Sequence, residues 1–349
     1  MPEKINIGVI GAGWWATLSH IPALLANPHV GSVAVSRPDA DGLAKVAAEF
    51  PRVKPYLHTA EMLASETLHG VVVASPHTFH AEHGHMALSR GLHTLIEKPM
   101  ATNAGDARML VETAKANGVE IILPYGWNFK PITALAHRLV ADGWIGEVRH
   151  VVAQMASALS DLFGGEQMVE TKDHLFRPPA STWADPAKAG GYGWGQLTHG
   201  LGALFSMVDL DPVRVFAKTG LSPAGVDFYD AAVVELENGA TISLSGAATV
   251  PKSRSYQMDI RIFGTEGMLL FDIERARCEV IRHDGKTHIE QLPADAGAYE
   301  SVAPIALLVE LCRGADVVNP ADGTVGMRAS LLLDAMYRSA ASGQMEKVG

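Results

Sequence analysis

Apolar and polar positions follow two different rhythms along this chain. Up to about residue 125, short β-branched runs alternate with longer segments whose apolar positions recur at helical spacing. The runs Ile5–Ile10, Ser32–Ser36, Gly70–Ala74, His93–Ile96 and Glu120–Leu123 predict strands. Between them, Trp15–Ala26, Asp39–Phe50, Phe79–Arg90 and Asp106–Asn117 predict helices, with Gly91 and Gly118 placed as C-caps. Repeated strand–helix–strand units of this kind build a parallel sheet, so the first half reads as a doubly wound α/β (Rossmann) domain.

After Pro124 the alternation lengthens. Val148–Met155, Ala231–Leu236, Thr241–Ser245, Met258–Phe263 and Met268–Asp272 read as strands, and Asn238-Gly239 is a hairpin turn signal. The expectation is an α+β C-terminal domain with a large, mostly antiparallel open sheet. The stretch Ser160–Gly195, rich in Gly, Pro, Ser and Asp, is too long for an ordinary connector and predicts a functional loop that roofs a site. Gly326–Ala341 has helical periodicity and is expected to pack back on the first domain. At 349 residues with 48% hydrophobic residues, two domains are expected, residues 1–125 and 126–349.

Charge narrows the partners. With 28 basic against 38 acidic side chains the net charge is −10, which disfavours nucleic-acid backbones and anionic membranes. The two cysteines, Cys278 and Cys312, lie in no metal-binding or disulfide pattern, which suits a reducing compartment. The chain runs from Met1 straight into a strand-like segment, and no apolar run approaches the roughly 18 to 20 residues of a membrane span. The expected location is cytoplasmic.

The strongest motif is Gly8-Val9-Ile10-Gly11-Ala12-Gly13-Trp14-Trp15-Ala16, a buried strand running through GxGxxA into a helix. Gly11 allows the tight turn, Gly13 lets a pyrophosphate approach the backbone, and Ala16 allows close helix–strand packing. Trp14 and Trp15 are expected to pack along the cofactor or the helix. At the end of the second strand, an acidic residue would bind the ribose 2′-hydroxyl of NAD, but this chain has Ser36-Arg37. A hydroxyl and a guanidinium suit a 2′-phosphate, so NADP is favoured, with NAD possible through Asp39 or Asp41.

Two further segments point the same way. The strand at Gly70–Ala74 leads into Ser75-Pro76-His77-Thr78-Phe79-His80, and the strand at His93–Ile96 into Glu97-Lys98-Pro99. Ligands of open parallel sheets bind beyond the C-terminal strand ends, so both segments face the cofactor. Tyr125, Trp127 and Asn128 follow the last strand of that sheet, and Tyr192 and Trp194 precede a later helix. These are substrate-binding candidates, because aromatic faces beside polar groups suit a sugar or cyclitol ring. His77, His80, His83 and His85, wound at helical pitch, do not converge on one point, so no metal is expected.

The glycine loop and Glu97-Lys98-Pro99 together resemble the Gfo/Idh/MocA family, named for glucose-fructose oxidoreductase, inositol dehydrogenase and a rhizopine-catabolism protein. The resemblance is specific through about Pro99 and diffuse beyond it. It implies the two-domain architecture above, and an open sheet that packs against another subunit in a homodimer or homotetramer. It also implies that Lys98 contacts the nicotinamide ribose and the reacting oxygen and that His80 lies beside the cofactor; His77, His83 and His85 are read from their helical spacing as helix-surface residues. The family's second catalytic element is Asp-x-x-x-His after glycines. The matching run is Gly190 to His199, with His199 as the acid/base group and Gly195 standing where the family has aspartate. Gln196, Thr198, Asp173 and His174 are the candidates to replace that carboxylate, and Gln196 is also a substrate-binding candidate. An imidazole with an ordinary pKa near 6.5 suits proton exchange near neutral pH.

The activity implied is NAD(P)-dependent hydride transfer to or from a secondary alcohol or ketone of a hydroxylated ring. A tightly held cofactor cycling on a glycoside or between two sugars is the alternative. A non-catalytic dinucleotide sensor is the third reading, disfavoured by the presence of Lys98 and His199.

Overall fold

The structure is a computed structural model and describes residues 4–254 and 256–349. Its first layer is a six-stranded parallel sheet of β1 (Ile5–Ile10), β2 (Val30–Ser36), β3 (Val53–Tyr56), β4 (Gly70–Val73), β5 (His93–Ile96) and β6 (Ile121–Ile122). The strands run in the order β3-β2-β1-β4-β5-β6, so the chain reverses its direction of winding between β1 and β4. Helices cover both faces, and every residue of β4 is buried, which explains its unbroken Gly-Val-Val-Val. The sequence reading did not include β3 or the helix Thr59–Ser65. With Pro55 inside it and Lys54 exposed, Val53–Tyr56 is written as an edge strand, where a missing N–H is tolerated. The predicted helix Trp15–Ala26 is divided into a π-helical turn, Ala16–His20, and a helix, Ile21–Ala26. Pro22 has no N–H to donate back to the preceding turn, and the ladder changes there.

The second layer is a nine-stranded sheet made of β7 (Val148–Ser157), β8 (Pro212–Leu221), β9 (Asp227–Leu236), β10 (Thr241–Ala247), β11 (Tyr256–Gly264), β12 (Gly267–Asp272), β13 (Arg277–Arg282), β14 (Thr287–Gln291) and β15 (Glu346–Lys347). Its order is β14-β13-β12-β11-β7-β10-β9-β8-β15, antiparallel except for the β7–β10 pair. Gly239 at φ +82° makes the β9–β10 hairpin. β8, β13, β14 and β15 were not among the predicted strands. Register shifts at both ends of β8 interrupt its alternation, and β14 is a short outer strand with little burial. One face of the sheet covers the helix Thr198–Met207, while the other leaves Tyr229, Val233, Ile281 and Ile289 exposed. The long helix Gly323–Ser342 lies against the first-domain helix Ala104–Asn117, and also against β8 and Thr198–Met207. Among the described residues, no helix is long and apolar enough to cross a membrane.

Candidate active site

The glycine loop leaves β1 with Gly11 at φ +88°, a conformation in which a side chain is strained. A Cβ there would lie 2.4 Å from the Ser75 backbone nitrogen, so the turn nests directly on the end of β4. Gly13 differs: a Cβ on it would meet only the Gly11 carbonyl, at 4.0 Å. The open space above Gly13 is where a phosphate would approach the backbone, and these residues fit a dinucleotide. The loop opens into a cavity of about 600 Å³ that continues past β2, β4 and β5 to the second domain.

Three buried contacts fix the strand-end loops around this cavity. His80 places its two ring nitrogens 2.7 Å from the carbonyls of Ser75 and Pro99, joining the β4 and β5 loops. Burial pushes its pKa down, while the two carbonyl acceptors and the Glu97 charge oppose that shift by favouring a ring with both N–H groups. Glu97 bonds His20 Nε2 through Oε1 at 2.8 Å and accepts the Lys98 backbone N–H through Oε2 at 3.1 Å. Burial alone would raise the Glu97 pKa, but His20, Lys98 and His80 together bring it below the usual range, so it stays a carboxylate. His77 is buried, holds the Ala189 carbonyl at 2.9 Å through Nδ1, and has its pKa lowered to about 3 by burial and by His80. It is therefore not a helix-surface residue, as the sequence reading had it. It lines the cavity and ties the first domain to the glycine run of the second.

Lys98 reaches across the cleft. Its ammonium donates to the Gly195 carbonyl at 2.6 Å and lies 5.0 Å from the Trp183 ring centroid. Burial lowers its pKa to about 8, against the opposing charge of Glu97. His199 sits at the start of the helix Thr198–Met207, buried edge-to-face among Tyr125, Trp127 and Tyr299 at 5.4 to 5.7 Å. Burial, reinforced by Lys98, pushes its pKa well below 6.5, so the ring is neutral at neutral pH. The expectation of an ordinary imidazole pKa is corrected accordingly. Its Nδ1 is buried and has no hydrogen-bond partner among the described residues. Gln196, Thr198, Asp173 and His174 do not supply one either. Thr198 shares its hydroxyl with Tyr125, His174 bonds Trp14, and Asp173 is exposed.

The geometry explains the glycine at 195. A Cβ there would lie 2.7 Å from Phe163 Cζ and 3.1 Å from Trp183 Cζ3, so aromatic rings fill the volume a carboxylate would need. The backbone carbonyl is what remains to hold Lys98. Asp227 supports this run, accepting the Gly193 N–H at 2.7 Å and the Tyr337 hydroxyl at 2.8 Å, while Tyr337 accepts the Trp194 N–H. Its neighbour Asp230 is buried beside it, and burial together with the Asp227 charge raises the Asp230 pKa well above the carboxylate range. Gly195→Asp is expected to destabilise the protein by about 1–3 kcal/mol through overpacking. A lower denaturation midpoint is the result to look for, and Gly195→Ala, with fewer atoms against Phe163, is expected to lower it less.

Of the residues singled out in the sequence, Gly11, Gly13, Trp14, Trp15 and Arg37 line the cavity on the cofactor side. Ser75, Pro76, His80, Glu97 and Lys98 line it at the strand ends, and Trp127, Gln196 and His199 at the second domain. Six others do not reach it, among them Tyr192, which is buried with its hydroxyl 3.2 Å from that of Ser157. Ala12 is buried, offering only its carbonyl to Arg37 at 3.0 Å. Ser36 turns inward and bonds Thr59 at 3.0 Å, so its hydroxyl is not presented to a 2′-phosphate. Tyr125 packs behind His199, Asn128 donates to the Gly202 and Pro320 carbonyls, and Trp194 stacks on Tyr337. Each lies on the core side of its loop. Trp183, Tyr299 and Phe176 line the cavity without having been singled out. Trp183 and Phe176 belong to the stretch expected to roof the site, where an aromatic residue was the available signal; nothing local marks Tyr299.

A six-stranded Rossmann sheet with an open glycine loop, joined to a second sheet that completes the cleft, defines an NAD(P)-binding oxidoreductase. The chain belongs to the Gfo/Idh/MocA oxidoreductase family. Residues 5–125 match the family's NAD-binding Rossmann domain and residues 133–270 its C-terminal domain. Among relatives, D-xylose 1-dehydrogenase (NADP(+)) 2 of Haloferax volcanii is 25% identical over 339 residues, covering 96% of this chain and 97% of its own. The dTDP-3,4-didehydro-2,6-dideoxy-alpha-D-glucose 3-reductase of Streptomyces antibioticus is 28% identical over 353 residues, covering 92% and 96%. The fold also matches levoglucosan dehydrogenase in complex with NADH and levoglucosan, with a TM-score of 0.77 at 20% identity over 99% of both chains.

Proposed function

We propose that this protein is an NADP-preferring dehydrogenase or reductase acting on a secondary alcohol or ketone of an uncharged hydroxylated ring, a sugar or cyclitol. The observation that carries this reading is the convergence of the Lys98 ammonium and the neutral His199 ring on one cavity continuous with the glycine loop. When bound, the nicotinamide supplies or takes up the hydride. Lys98 bonds the reacting oxygen: as the ammonium it gives that oxygen a proton in ketone reduction, and as the neutral amine it takes the hydroxyl proton in alcohol oxidation. His199 bonds that oxygen or its neighbour as a neutral ring, and Trp127, Trp183 and Tyr299 offer apolar faces that orient the sugar and exclude water. Among the described residues that line the cavity, those beside Lys98 and His199 on the second-domain side are the aromatic rings of Trp183 and Tyr299, which suit the apolar face of a neutral ring. The relatives above are named for xylose, levoglucosan and a dTDP-linked sugar, so a sugar ring is common to all three.

The cofactor preference rests on Arg37. Its guanidinium lies at the cavity wall, bonded to Asp39 at 3.1 Å and to the Ala12 carbonyl. A 2′-phosphate would exchange with the Asp39 carboxylate as its partner, forming charge-assisted bonds. NADPH is therefore expected to bind more tightly than NADH in a fluorescence titration, and Arg37→Ala to weaken NADPH by about tenfold while leaving NADH nearly unchanged. The reverse preference would transfer the ribose contact to Asp39 and remove NADP from the proposal.

A further inference from the structure

The second domain reaches back over the cofactor side of the cavity through residues 173–177. Trp14, which follows the second glycine of the loop, donates its indole N–H to His174 Nδ1 at 2.9 Å, and the two rings lie 19° from parallel. An indole nitrogen only donates, so Nδ1 of His174 is the acceptor and, in the neutral ring, Nε2 carries the hydrogen. Two residues along from His174, the Phe176 ring centroid lies 4.2 Å from the Arg37 guanidinium, at the end of β2. Leu175 and Phe176 also pack against the first-domain apolar cluster that contains Ala12, Ala16 and Val35. The segment keeps its shape from its own side: Arg177 donates to Thr171 Oγ1 at 3.1 Å, to the Met168 carbonyl and to Gln167.

The two anchor points bracket a particular part of a dinucleotide. In a doubly wound sheet the pyrophosphate lies at the glycine loop and the adenosine ribose at the end of the second strand. Trp14 marks the first place and Arg37 the second, and Phe176 and Arg177 line the same cavity as Gly11 and Gly13. We propose that residues 173–177 form a strap across the pyrophosphate and adenosine ribose, making His174 and Phe176 part of the cofactor site. Entry and release both require the strap to lift. This rests on the dinucleotide reading above and extends it, because a strapped cofactor stays with the protein longer than one held by the first domain alone.

The test is stopped-flow fluorescence of NADPH binding, and of its release into excess NADP, for the full chain and two variants. Trp14→Phe keeps the ring but removes the N–H, and Phe176→Ala removes the surface under Arg37; each is checked for an unchanged thermal midpoint. Losing a contact that holds the strap closed is expected to raise both the association and the release rates by about tenfold, with Kd moving less than either rate. Rates within twofold of the parent, in variants that fold normally, would overturn the strap while leaving the cofactor reading intact. A faster release with unchanged association would also overturn it, reducing the segment to an ordinary contact. Failure of the unaltered chain to bind either NADPH or NADH would overturn the cofactor reading and the strap with it.

Discussion

Lys98→Ala is expected to lower turnover by roughly 10²- to 10⁴-fold, with a smaller loss of cofactor affinity. Lys98 is the cation at the point where the β5 loop meets the second domain, held by the Gly195 carbonyl at 2.6 Å and faced by Trp183. Lys98→Arg is not expected to rescue activity, because a planar guanidinium cannot occupy the space of a compact ammonium between those two partners. The same residue sets the pH dependence. With a pKa lowered to about 8, it is charged below that pH and neutral above it. Ketone reduction, which needs the cation, should therefore fall as pH rises through about 8, and alcohol oxidation, which needs the free base, should rise through it. His199 adds no limb near 6.5, because burial keeps it neutral there. Rate profiles in the two directions check this, and a limb near 6.5 that disappears in His199→Ala would return proton transfer to the imidazole.

Gly11→Val has the second large effect: loss of NADPH binding by at least about 100-fold in a fluorescence titration. The position combines φ +88° with a Cβ contact of 2.4 Å to backbone, not to a side chain that can swing away. Relief requires the β1 and β4 loops to separate, and those loops frame the cavity. A branched side chain at positive φ adds its own strain. Gly13→Ala is a milder control, since its Cβ would enter open space at 4.0 Å or more from other atoms. It should leave the fold intact and still weaken the cofactor, which separates loss of the turn from loss of room for phosphate.

The glycine loop and Lys98 were legible in the sequence because both depend on short-range order. A turn must follow β1, a strand must end before Lys98, and strand ends face the ligand in any such sheet. The position of His199 was legible as well, but its chemistry was not. Whether an imidazole titrates near 6.5 depends on what surrounds it, and the Tyr125, Trp127 and Tyr299 rings arrive from distant parts of the chain. Ser36 shows the same limit in reverse. Its place at the end of β2 suggested a phosphate ligand, yet the hydroxyl turns to Thr59, in a helix the sequence reading had not placed. His77 looked like one of several histidines on a helix until the Ala189 carbonyl closed over it. Asp227 and Tyr337, which hold the glycine run, are 110 residues apart and carry no local signal.

The most direct measurement is reduced-nicotinamide absorbance in a screen of uncharged sugars and cyclitols, with sugar acids and nucleotide sugars alongside, using NADP and the purified protein. The account predicts turnover on a neutral ring, with reduced cofactor formed in proportion to product and the signal abolished in Lys98→Ala. Turnover confined to charged substrates, or turnover that survives loss of Lys98, would contradict it.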